Sequence, residues 1–128
     1  MKHFRIGLVV AFLAATPLAA VAHGTAPAPA HGGMVVEDSG DHWIELVIKG
    51  DVVTVFVSDG DNKPLPAAQL SGKATIVAGS RKEEVILAPA QANSLVGKLS
   101  APIVGKATTL VAITLNGKLA QSRFVTSQ

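Results

Sequence analysis

Hydrophobic positions in this chain alternate with polar ones in short blocks, and the clearest block runs from His42 to Ser58. Two apolar segments of strand length meet at Lys49-Gly50-Asp51, where glycine supplies the positive φ of a tight turn, so the stretch predicts a β-hairpin. Ile44, Leu46 and Ile48 share one face of its first strand, and Val53, Val55 and Val57 one face of its second, because side chains alternate with period two. Val47, Val52 and Phe56 populate the opposite faces, which predicts a hairpin covered on more than one side.

The same grammar continues on both sides. Met34-Val35-Val36 predicts a short strand, and Glu37 to Asp41 a turn. Asp59 to Pro66 is dense in turn formers and ends the second strand of the hairpin. Lys73–Ala78 and Glu83–Ala88 predict a second hairpin across Gly79–Lys82, stopped by Pro89; Ser94–Ser100 predicts a strand weakened by its central glycine. Thr108–Leu115 and Leu119–Val125 flank Asn116-Gly117-Lys118, and Asn-Gly is the strongest short-range hairpin signal. Ala67 to Leu70 has room for a single helical turn. Seven or eight short strands with no long helix after residue 22 predict an all-β, immunoglobulin-like β-sandwich over residues 34–126, with a small closed barrel as the alternative.

The first 22 residues follow a different pattern. Lys2 and Arg5 precede the almost unbroken apolar run Ile6–Ala15, Pro17 ends it, and Ala20-Val21-Ala22 supplies small residues for cleavage, the arrangement of a secretory signal peptide. An uncleaved anchor is the rival, but Ile6 to Ala22 is broken by proline and shorter than the roughly 20 residues of a spanning helix. The expected location is the periplasm, with no membrane attachment after cleavage. Lys2 and Arg5 are two of the eleven basic residues and all nine acidic ones lie beyond the signal, so the remainder balances at nine against nine. That balance gives no support to nucleic-acid binding. The chain has no cysteine, so an exported domain of this size is expected to rely on its packed core.

Residues 23–33, His-Gly-Thr-Ala-Pro-Ala-Pro-Ala-His-Gly-Gly, lack apolar periodicity and read as a flexible, partly extended arm. Catalytic patterns are missing: no Gly-x-Ser-x-Gly, no cysteine, no phosphate loop around Gly105-Lys106, and a calcium-like start at Asp59-Gly-Asp61 that meets Lys63 and Pro64 where ligands and glycine belong. The chain is therefore expected not to be an enzyme. Metal binding is the stronger candidate chemistry, because His23, His31 and His42 cluster after the cleavage point together with Met34. Imidazole suits zinc, copper or nickel, and thioether adds affinity for Cu(I). If cleavage follows Ala22, the α-amine and ring of His23 chelate one ion together, which favours Cu(II). The plainer alternatives stand beside this: His23 and His31 as solvated arm residues, His42 as the cap of a sheet edge, Met34 as core, and Trp43 either packing on the arm or covering a sheet face.

His31-Gly32-Gly33, Glu45-Leu-Val-Ile48, Val55-Phe-Val-Ser-Asp59 and Lys63-Pro-Leu65 together resemble the N-terminal periplasmic domain of adaptor subunits of heavy-metal RND efflux pumps of the cobalt–zinc–cadmium type, and small free-standing periplasmic proteins that share the pattern. The resemblance extends weakly through Leu87-Ala-Pro89, Asn93-Ser-Leu95 and Arg123-Phe124. It implies a β-sandwich, a periplasmic setting and a heavy-metal ligand. Some relatives place histidine where this chain has Gly60, and Asn62 stands where the family tends to have glycine. With no long helical hairpin or lipoyl-like segment, the chain is expected to be a stand-alone module. A weaker likeness, a signal followed by mature histidine and a small all-β domain, is to copper-resistance carriers. The expected function is a copper- or zinc-binding buffer or carrier associated with metal efflux, with an RND-type adaptor or another periplasmic protein as partner. The alternative is a metal-free interaction module docking through a strand edge.

Overall fold

The computed structural model describes residues 24–128. The expected signal segment and His23 lie outside the described residues. Eight antiparallel strands follow in order: β1 (Met34–Glu37), β2 (Trp43–Lys49), β3 (Val52–Ser58), β4 (Leu70–Ala78), β5 (Arg81–Pro89), β6 (Ser94–Lys98), β7 (Lys106–Leu115) and β8 (Lys118–Ser127). A single 3₁₀ turn, Ala67–Gln69, is the helical content among the described residues.

The strands form one sheet in the order β1-β2-β3-β6-β5-β4-β7-β8. It folds on itself into two four-stranded layers, β1-β2-β3-β6 and β5-β4-β7-β8, and the chain crosses between layers after β3, β5 and β6. This is the expected sandwich, nearly closed into a barrel because the two layers stay continuous at one corner. There β5 and β6 share only the pairs Ala88–Val96 and Pro89–Leu95. Gly97 makes the corner possible: a Cβ there would lie 2.3 Å from Val85 Cγ1 and 2.9 Å from the Ile86 carbonyl.

The hairpins form where turn chemistry predicts them. Gly50 has φ +59°, and Asn116 and Gly117 have φ +52° and +74°, so the last turn needs only two residues and Lys118 belongs to β8. The second hairpin is longer than its sequence pattern suggests, with Leu70 opening β4 and Arg81 opening β5. Arg81 is useful at that place: its guanidinium is bound to Glu83 and to the carbonyls of Ala101 and Pro102, tying the turn to the loop before β7.

The core lies between the layers. Ile44, Val53, Val55, Val57, Leu95 and Ala74 have no exposed surface, and Phe124 from β8 fills the opposite side. These are the alternate residues of each strand, so the outward set of the front layer is left for another purpose. Its register places Val35, Glu45, Phe56 and Ser94 in one row across β1, β2, β3 and β6.

Candidate functional site

That row is the floor of the site. Glu45 and Phe56 are direct cross-strand neighbours, and Trp43 stands two residues before Glu45 on the same face of β2. A carboxylate so placed is surrounded by apolar neighbours and is itself buried, with 7 % of its side chain exposed. Burying a charge requires partners. The arm supplies them, returning over this face instead of continuing away from β1.

The return depends on Gly32 and Gly33. Gly32 has φ +74°, in the left-handed region. At Gly33 a Cβ would come within 2.3 Å of the Leu46 carbonyl and 2.8 Å of Val47 Cγ2, so only glycine lets the chain step across the edge of β2. Upstream of that step, Glu45 Oε1 accepts the backbone N–H groups of His31 (2.8 Å) and Gly33 (3.0 Å), and Oε2 accepts that of Ala30 (3.2 Å). The His31 ring completes the set through Nδ1, 2.9 Å from Glu45 Oε2. Burial pushes the Glu45 carboxyl up, but the imidazole and the three backbone donors outweigh it and hold the group below the ordinary carboxylate value. The imidazole also lies flat on Phe56, with centroids 3.5 Å apart and planes 2° from parallel.

Above this floor is a cavity of about 180 Å³ lined by Pro27, Ala28, Ala30, His31, Val35, Trp43, Glu45, Phe56, Ser58, Asn62, Pro64 and Asn93. Trp43 closes one wall, its Nε1 donating to the Gly60 carbonyl at 3.3 Å. The Asp59–Lys63 turn forms another wall and holds itself together: Asp59 Oδ1 accepts the N–H groups of Asp61 and Lys63, and Asn62 takes φ +60°. Asparagine tolerates that left-handed conformation. Trp43 thus covers a sheet face that it shares with residues of the arm.

His42 is held in a similar way elsewhere. Asp38, with 1 % of its side chain exposed, accepts the N–H groups of Gly40 (2.8 Å) and His42 (2.9 Å), and its Oδ2 lies 3.0 Å from His42 Nδ1. The pair closes the turn between β1 and β2, and the ring lines a depression with Leu115, Asn116, Lys118, Leu119 and Ala120. Met34 is opposite Leu46 on the edge strand and lines a third cavity, between β2 and the end of β8. These three cavities share no lining residue. The described residues therefore do not bring His31, His42 and Met34 together, and among them no three His, Asp or Glu side chains gather around one point.

What does assemble is a pair of imidazoles, each held by a buried carboxylate at Nδ1, with no hydrogen bond at Nε2 among the described residues. Only the His31 pair adds an aromatic floor and a substantially exposed ring, 45 % by side chain. Glu45 and Phe56 are the site residues that reading for metal ligands passes over. Their signal was a lone carboxylate at the outward position of β2, between Trp43 and Val47, where a solvated face would carry several charges.

Comparison with known proteins finds no matching protein family, no matching curated protein and no matching solved structure.

Proposed function

We propose that this protein is an exported metal-binding module, a buffer or carrier for copper or zinc, in which His31 is the fixed donor. One observation carries the reading: Glu45 engages His31 at Nδ1 and leaves Nε2 open, the carboxylate–histidine arrangement that orients imidazoles toward metal ions. Further donors are available from the arm itself, because His23 lies eight residues upstream of His31. The histidine-rich start of the exported chain, the absence of thiols and the likeness to periplasmic efflux domains point the same way, toward a place beside an RND-type efflux system. His42 and Met34 serve the turn and the edge strand on this reading.

Titration calorimetry with copper and zinc tests it. Binding heat is expected to fall sharply in His31→Ala and to persist in His42→Ala. Equal heat in wild type and His31→Ala would discard His31 as the donor.

A second reading has its own observation. The sheet stops short of closure between β1, four residues long, and β8, ten residues long; Ser39, in the turn after β1, bridges to Gln121 of β8. Beyond that bridge a cavity of about 350 Å³ runs between Leu46–Lys49 and Val125–Gln128, offering strand edges to an extended segment of a partner. Capture of a periplasmic partner that survives chelator and His31→Ala would favour it.

A further inference from the structure

Polar side chains gather around the cavity over the Trp43–Phe56 face, and the contacts inside the protein leave several of them unused. We propose that this cavity binds one small uncharged ring bearing several hydroxyl groups, as a neutral monosaccharide unit does, with the arm as its roof. The inference goes beyond the metal reading and does not rest on it. Charge is the first filter. Glu45 and His31 are the ionisable side chains among the lining residues, and Glu45 spends both oxygens on the arm backbone and on Nδ1 of His31. No lysine, arginine or second carboxylate lines the cavity to meet a charged ligand.

The aromatic wall is the second filter. The imidazole already covers Phe56, with centroids 3.5 Å apart, so Trp43 is the aromatic surface left for a ligand. Its Nε1 donates to the Gly60 carbonyl, and the indole therefore offers the apolar ring alone. One such wall suits a saturated ring with one apolar side, whereas a planar aromatic gains most from ring-on-ring stacking. Hydrogen-bonding groups are the third. Ser58 stands directly across from Trp43 on β3, and Asn62, in the turn after β3, and Asn93, just before β6, line the same space. Among the described residues the Ser58 hydroxyl and the Asn62 amide make no hydrogen bond, while Asn93 uses Nδ2 on the Val57 carbonyl and keeps Oδ1. His31 adds Nε2, because Nδ1 serves Glu45 whichever protonation state the ring is in. Hydroxyls and amides both donate and accept, and so do the hydroxyls of a sugar. Size is the last filter: about 180 Å³ is below the roughly 300–1,000 Å³ of sites for drug-sized molecules and leaves room for one ring. Gly32, with nothing within 4 Å of a Cβ placed on it, is the point where the arm can lift to admit the ligand.

Trp43 is the single tryptophan of the chain, so its emission reads the cavity directly. The full chain, with chelator present, is titrated with the methyl glycosides of glucose, galactose and N-acetylglucosamine, and with glucose 6-phosphate and phenol as the charged and aromatic comparators. At least one neutral glycoside is expected to change Trp43 emission saturably in the millimolar range and to bind more tightly than either comparator. Ser58→Ala removes a hydroxyl that no other described residue uses, and Asn62→Gly removes the amide while keeping the positive φ; each is expected to weaken that glycoside about fivefold, the worth of one hydrogen bond. If a variant fails to fold, amide chemical shifts of the wild type decide: glycoside-induced shifts at Ser58, Asn62 and Asn93 support the site. Preference for phenol or for the phosphate, or equal glycoside affinity in wild type and both variants, would overturn the proposal. So would a wild type in which neither Trp43 emission nor those amides respond to any glycoside. With chelator present, each of these failures leaves the metal reading untouched.

Discussion

Glu45 spends its four hydrogen-bond contacts on one short segment, and that concentration makes its ionisation state matter. Its carboxyl is held below the ordinary value of about 4.3, so the folded protein binds its proton less readily than the unfolded chain does. The stabilisation is therefore present above the unfolded-state value and is lost as pH falls through the folded-state one. Wild type is expected to be more stable than Glu45→Gln at pH 7, with the gap narrowing below about pH 4. Urea unfolding at a series of pH values, followed by the emission of Trp43, checks this; a gap that widens on acidification contradicts it. The two hinge glycines separate by mechanism. Gly33→Ala drives a Cβ into the Leu46 carbonyl and is expected to cost about 1–3 kcal/mol. Gly32→Ala meets nothing within 4 Å and suffers only the left-handed strain of about 1–2 kcal/mol. The discriminating readout is Trp43 emission in the folded state, which Gly33→Ala shifts and Gly32→Ala leaves near wild type.

At the scale of elements, the hairpins were legible because their turns declare themselves. Lys49-Gly50-Asp51 and Asn116-Gly117 fold as their residues require, and the alternating apolar sets fix which side of each strand faces inward. The arm was less legible. Its alanines and prolines carry no period, and nothing local reveals that Ala30 to Gly33 will be fastened to Glu45, fourteen residues beyond His31. Gly97 teaches the same lesson in β6: within its strand it reads as a weak point, whereas the fold uses it where two layers meet. Gly97→Ala is expected to destabilise by about 1–3 kcal/mol, because Val85 and the Ile86 backbone leave no space. A thermal melt compared with that of Gly50→Ala, whose site is open and strained only by φ, separates corner packing from turn strain.

For the molecule as a whole, stability rests on the interlayer core, since the chain has no cysteine and ion pairs such as Lys73–Glu84 and Lys98–Asp51 are exposed. Among the described residues Phe124 is the largest fully buried side chain, and Phe124→Ala is expected to cost about 3–5 kcal/mol, a large share of the 5–15 kcal/mol typical of a domain. Loss of the cooperative unfolding transition, or a midpoint shifted by that amount, is the expected result in denaturant. Strands β7 and β8 also carry buried hydroxyls of Thr109, Ser122 and Thr126 that have no hydrogen-bond partner among the described residues. Replacing Thr109 by valine, similar in shape and without the hydroxyl, is expected to leave stability unchanged or raise it by up to about 1 kcal/mol.

By itself the sequence determined the strand pattern, the turns, the inward-facing residues and the choice of histidine as the candidate chemistry, because each follows from local conformational preference or from side-chain type. Only the tertiary structure decided which histidine meets which partner. Met34, His31 and His42 stand within eleven residues of one another in sequence, yet a glycine step over β2 sends one imidazole to the outer face while a tight turn keeps the other beside β8. Proximity along a chain constrains reach, whereas sheet register and layer crossing determine where the side chains converge.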